Sequence, residues 1–131
     1  MDKETIIKRL ASLGYTFNDV SDSWVLGFLF DKVTNSIKDS INRPEIPEAL
    51  YQVFVDMVAG EFLLMKKSTG GLDGFEVDTE AVAVKSIQQG DTSVSFAVDK
   101  TMSAEERLNA VINYLLNYGK PQFLRHRRLV W

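Results

Sequence analysis

Residues 81–98, Ala81-Val-Ala-Val-Lys-Ser-Ile-Gln-Gln-Gly-Asp-Thr-Ser-Val-Ser-Phe-Ala-Val98, constrain the fold most, because they alternate with the period of a strand while the rest of the chain reads as helix. Val82, Val84 and Ser86 share one face, and Val94, Phe96 and Val98 share a face of the return strand. Gln88-Gln89-Gly90-Asp91 supplies the turn, with Gly90 free to take a positive φ. A single two-stranded ribbon is marginal in water and leaves two open edges. Such a hairpin either caps its own helices or pairs with another chain. The second reading makes Val84, Ile87, Val94 and Phe96 a candidate subunit interface.

Around that hairpin the apolar period is helical. Ile6, Ile7, Leu10 and Leu13 give residues 3–13 an amphipathic face, and Gly14 closes the segment. A second helix is expected from about residue 22 to 41, with Trp24, Val25, Phe28, Leu29, Val33, Ile37 and Ile41 as its inward stripe. Asn42-Arg43-Pro44 stops it, since a proline disfavours α geometry in the residue before it. The third helix opens at Pro47 and Glu48 and carries Leu50, Val53, Phe54, Met57, Val58, Glu61, Leu64 and Met65 at helical spacing. Lys66 and Lys67 suit its C-terminus, and Gly70-Gly71 breaks it. Ser103-Ala-Glu-Glu106 is a capping box that starts the last helix, whose stripe is Leu108, Val111, Ile112, Leu115 and Leu116. Gly119 ends that helix and Pro121 follows. Gly27 and Gly60, inside helices, predict close helix–helix approach.

These elements add up to a mainly α fold. It is a small four-helix domain over residues 1–120, with one hairpin inserted at 81–98 before the last helix and an extended basic-aromatic tail at 121–131. A chain of 131 residues with 45% hydrophobic side chains supports one modest core. The N-terminal residues lack the apolar core of a signal peptide, and no apolar run approaches the ~20 residues that span a bilayer. The expectation is a soluble, intracellular protein with no membrane partner.

Charge is unevenly placed. Three of the 15 basic residues fall in 121–131, which hold no acid; residues 1–120 therefore carry 12 basic and 18 acidic side chains, a net of −6. A broad basic patch marks a general nucleic-acid binder; an acidic body with a short cationic end does not. The tail reads instead as a docking element, with Arg125, Arg127 and Arg128 steering and Phe123 and Trp131 anchoring. The plain alternatives are a disordered terminus or a tail folded back on its own acidic body. Phe123, Leu124, Leu129, Val130 and Trp131 argue against disorder.

Catalytic chemistry finds little footing. Asp56 and Glu61 are five residues apart on one helix, which does not stack them. His126 is the only histidine and there is no cysteine, so no metal site, cofactor or nucleophilic pair is expected.

The order long Pro-initiated helix, glycine loop, hairpin, capped helix, basic-aromatic tail resembles the small head–tail connector (head-completion or adaptor) proteins of tailed bacteriophages and prophages. The residues that carry the resemblance are Ile46-Pro-Glu-Ala-Leu50, Val84-Lys-Ser-Ile-Gln-Gln-Gly-Asp-Thr-Ser-Val-Ser-Phe96 and Tyr118-Gly-Lys-Pro-Gln-Phe-Leu-Arg-His-Arg-Arg-Leu-Val-Trp131, within a match over roughly residues 20–131. The resemblance implies a subunit, monomeric when isolated, that forms a ring beneath the portal protein of a DNA-filled capsid. It implies a platform for a tail or stopper protein, with packaged DNA passing through and no sequence-specific binding. It implies no catalysis, and residence in the virion after assembly in the host bacterial cytoplasm. The rival expectation is a small regulatory or nucleic-acid-associated protein that uses its arginine-rich tail.

Overall fold

The structure is a computed structural model that describes residues 3–70 and 103–127. Five α-helices and one 3-10 turn fill those residues: α1 (Lys3–Ser12), α2 (Ser23–Ile41), the 3-10 turn Glu48–Leu50, α3 (Tyr51–Ser68), α4 (Ala104–Asn117) and α5 (Lys120–His126). Among the described residues there is no strand. The expected hairpin at 81–98, with Val84, Ile87, Val94 and Phe96, lies outside the described residues, as do Arg128 and Trp131.

The centre of the molecule is α3, which packs against α4, α2 and α1. Its sequence shows one stripe at helical spacing, yet every residue from Val53 to Gly60 is buried. One stripe serves one neighbour; a helix with neighbours on three sides must be buried all round. Phe54 and Phe62 are fully enclosed, and Phe30 of α2 meets Phe54 edge-on with ring centroids 5.0 Å apart. Leu64, expected inside, is 40% exposed. Pro47 lies one step further out than expected. It caps the 3-10 turn in an extended conformation (φ −60°, ψ 147°), its carbonyl accepts from the Leu50 N–H, and α3 proper begins at Tyr51.

Helix ends follow local chemistry. Ser103 caps α4: its Oγ accepts from the Glu106 N–H at 3.2 Å and its hydroxyl donates to Glu106 Oε1 at 3.2 Å. Asn42 stops α2 by taking a left-handed conformation (φ 54°, ψ 47°) from which its N–H reaches the Lys38 carbonyl, so the break falls at the first residue of the expected Asn42-Arg43-Pro44 stop. Gly60 meets the expectation of close approach, because a Cβ there would stand 3.0 Å from Leu115 Cβ and 3.1 Å from Leu116. Gly27 does not: a Cβ there would meet only the Lys3 ammonium, at 3.7 Å.

The expected extended tail is corrected at its start. Residues 120–126 form α5, with Pro121 in its first turn, where a proline leaves no helical hydrogen bond unmade. Gly119 turns the corner against Val53 so tightly that a Cβ would lie 2.3 Å from Val53 Cγ1. α5 then lies on α2. Phe123 is buried there, and the Arg43 guanidinium donates from Nε to the His126 carbonyl. Proline after glycine was read as a stop; here it starts the next helix.

Candidate functional site

Two kinds of site stand out: buried carboxylates held by partners, and apolar or cationic groups left on the surface. The first carboxylate is Asp56, fully buried at the middle of α3. Arg9 of α1 donates from Nε to Asp56 Oδ1 at 2.8 Å, and the Tyr118 hydroxyl donates to Oδ2 at 2.7 Å. One side chain thereby ties α1, α3 and the end of α4 together. Arg9 Nη1 reaches Ser12 Oγ at 3.3 Å, while Nη2 is buried with no hydrogen-bond partner among the described residues. Glu61, the other carboxylate weighed from sequence, sits at the surface 3.4 Å from Lys32 Nζ. The two acids do not converge.

The second buried carboxylate is Asp22, in the turn before α2. Tyr15 donates its hydroxyl to Oδ2 at 2.7 Å, the Asn18 N–H reaches the same oxygen at 3.0 Å, and Lys66 Nζ sits 2.9 Å from Oδ1. Burial alone pushes this carboxyl up; the bonds from Tyr15, Asn18 and Lys66, with the lysine's charge, outweigh it and hold the acid below its ordinary range. The Tyr15 hydroxyl moves the other way, raised first by burial and then by its bond to, and the charge of, Asp22. Both clusters link elements far apart in sequence, and both are built as ion pairs with satisfied oxygens. Among the described residues no three His, Cys, Asp or Glu side chains gather to hold a metal ion.

The surface holds the feature that sequence reasoning missed. Trp24 and Phe28 were assigned to the inward stripe of α2, but they are 77% and 52% exposed, and Val20 just before the helix is 93% exposed. At about 100° per residue, Leu26 lies on the opposite side of the helix from Trp24. The inward stripe is Leu26, Leu29, Val33, Ile37 and Ile41. Val20, Trp24 and Phe28 recur every four residues along the outward side, where the two rings stack with centroids 6.0 Å apart and planes 13° from parallel. The i, i+4, i+8 spacing was the available signal. Asp31, three residues beyond Phe28, is exposed on the same side and makes no ion pair among the described residues. Asp19, beside Val20, is also exposed.

The cationic end is divided by the structure. Phe123, expected as a partner anchor, is instead spent on the molecule's own core. Arg125 and Arg127 are exposed and form no ion pair among the described residues, and Leu124 between them and the body is 75% exposed. Because Arg43 grips the carbonyl of His126, this end lies by the C-terminus of α2, whereas Val20 and Trp24 mark its N-terminus. No described helix is long and apolar enough to cross a membrane. Comparison with known proteins gives no match: no family model fits the chain, and no curated protein or solved structure is detectably similar to it.

Proposed function

We propose that this chain is a structural assembly protein, a head–tail connector subunit that forms a ring under the portal of a tailed phage or prophage capsid and presents a platform to a tail or stopper protein. One observation carries the reading beyond the sequence resemblance. A single small helical body exposes two unlike surfaces at the two ends of α2: an aromatic strip at Val20, Trp24 and Phe28, and a cationic end at Arg125 and Arg127. A subunit that joins head to tail with copies of itself needs two different, complementary patches; when the rotation between copies closes, such contacts make a ring. Contiguous exposed apolar patches are one mark of an interaction site. The interior clamps at Asp56 and Asp22 suit a rigid building block, because each holds helices together without using the outward strip.

The test is co-purification and electron microscopy with the portal protein encoded in the same genome. The expected result is a ring of this chain seated on the portal ring. Two folded, well-behaved proteins that never associate would sink the reading. The arginine-tail alternative predicts duplex-DNA binding that weakens steeply with salt, with a slope set by the phosphates contacted, and a salt titration by fluorescence anisotropy separates the two.

A further inference from the structure

We infer that the exposed strip on α2 is a receptor for the arginine-rich C-terminal segment, Arg127–Trp131, of a second copy of this chain. The inference deepens the assembly reading by naming which surface meets which. The strip itself is unusual for a helix already buried on its other side: Trp24 is 77% exposed and stacks on Phe28 rather than turning inward. An aromatic pair held flat to one another offers a broad apolar face with little rotamer entropy left to lose on binding. The strip is flanked by acid, Asp31 after Phe28 and Asp19 before Val20, and neither carboxylate makes an ion pair among the described residues.

That pattern selects its occupant by chemistry. A second copy of the strip itself would set Asp against Asp. A ligand that fits carries cations beside large apolar groups, and residues 127–131, Arg-Arg-Leu-Val-Trp, are that composition in one short run. A guanidinium pairs with carboxylate through its planar fork and also lies flat on aromatic faces, so the arginines have two kinds of partner in the strip. Arg127 is exposed and its own backbone is extended (φ −70°, ψ 126°).

Geometry favours a neighbour over the chain's own strip. His126 is held beside Arg43, just past the end of α2. Along the helix axis Trp24 is about 27 Å from Asn42 at 1.5 Å per residue. Fully stretched, residues 127–131 span at most about 17 Å. By the same measure Asp31 is about 17 Å from Asn42 and within reach of its own tail, but Trp24 and Val20 are not, so a tail seated at that end of the strip belongs to another copy, a head-to-tail contact of the heterologous type that closes into rings.

The test uses the full-length chain and a dye-labelled peptide of residues 122–131, amidated at its end, with binding read by fluorescence anisotropy. Saturable binding is expected, weakened at least tenfold by Trp24→Asp, weakened similarly by Asp31→Lys, and reduced by added salt. Trp24→Asp sits in the first turn of α2, where an acid suits the helix dipole, and circular dichroism checks that it remains folded. Peptide binding that is absent, unchanged in both variants, or matched by a scrambled peptide overturns the inference. So does self-association that Trp24→Asp abolishes while the peptide fails to bind, because that outcome assigns the strip to itself. No portal protein enters this experiment. A portal ring without peptide binding therefore removes the contact and leaves the connector reading standing, and the converse removes the connector reading alone.

Discussion

α2 and α3 are nearly equal in length, 19 and 18 residues, and both are rich in aliphatic and aromatic side chains, yet they occupy opposite situations. α3 is covered on three sides and even its aspartate is buried. α2 buries one stripe and leaves a second, aromatic one in solvent. Hydrophobic content does not separate them. The number of neighbours does: α3 meets α1, α2 and α4, while the outward side of α2 has no neighbour within the described fold. An apolar residue on α3 is core by position, whereas an apolar residue on the outward side of α2 is left in solvent.

The sharpest way to break the comparison is at Asp56. Removing that carboxylate leaves the partly buried Arg9 guanidinium and Tyr118 hydroxyl without the acceptor they share. Breaking one side of a buried pair costs about 3–5 kcal/mol, so Asp56→Ala is expected to lower the urea midpoint sharply or to prevent folding. A loss below 1 kcal/mol would show that α3 is less enclosed than its burial implies. A smaller loss is expected from Gly119→Ala. The new methyl would meet Val53 at 2.3 Å, and overpacking of this kind costs about 1–3 kcal/mol. Because Val53 is on α3, pairing the change with Val53→Ala should recover part of the loss, measured as a double-mutant cycle.

Asp22 gives a graded effect that depends on pH. Its carboxyl is held low in the folded protein, so its contribution is present above the ordinary carboxylate value of about 3.9 and fades as pH falls through the lower folded value. Tyr15 has the opposite sign: its hydroxyl is raised, so its contribution holds below about pH 10 and is lost as pH climbs above it. Chemical denaturation from pH 7 down to 3 should show a steeper acid limb for the wild type than for Asp22→Asn. The alkaline limb should flatten in Tyr15→Phe. Identical limbs would remove the clamp from the stability account.

Much of this fold was legible in the sequence, for reasons that are local. Gly14, Asn42 and Ser103 sit where helices stop or start, and a cap acts through residues within four positions. What was not legible depended on neighbours distant in the chain. Trp24 and Phe28 look like core residues because periodicity says that a side is apolar, never whether anything covers it. Pro121 looked like a stop because its role as a start depends on Gly119 fitting against Val53, 66 positions earlier. Asp56 reads in the sequence only as an acid that does not stack with Glu61, and Asp22 carries no signal, because Arg9, Tyr118, Tyr15 and Lys66 reach them only through the packing of other helices. Gly27 and Gly60 read alike in sequence and differ for the same reason.

The smallest stability effect is the most telling for function. Trp24→Ala removes the largest side chain of α2, and on composition alone it would rank with the damaging core changes of about 3–5 kcal/mol. Its exposure says otherwise. A residue 77% in solvent surrenders little burial, and surface changes away from caps and buried networks fall within about 0.5 kcal/mol. Alanine also has the better helix propensity, which offsets part of the lost contact with Phe28. Thermal melts of the dilute isolated chain should therefore barely move, while Leu29→Ala, one turn on and fully buried, should lose several kcal/mol. If Trp24→Ala destabilises the monomer as Leu29→Ala does, the strip is part of the fold and carries no docking role. If the melt is unchanged while assembly or peptide binding fails, the indole is kept on the outside for a partner, and the second stripe of α2 is an interface rather than an unfinished core.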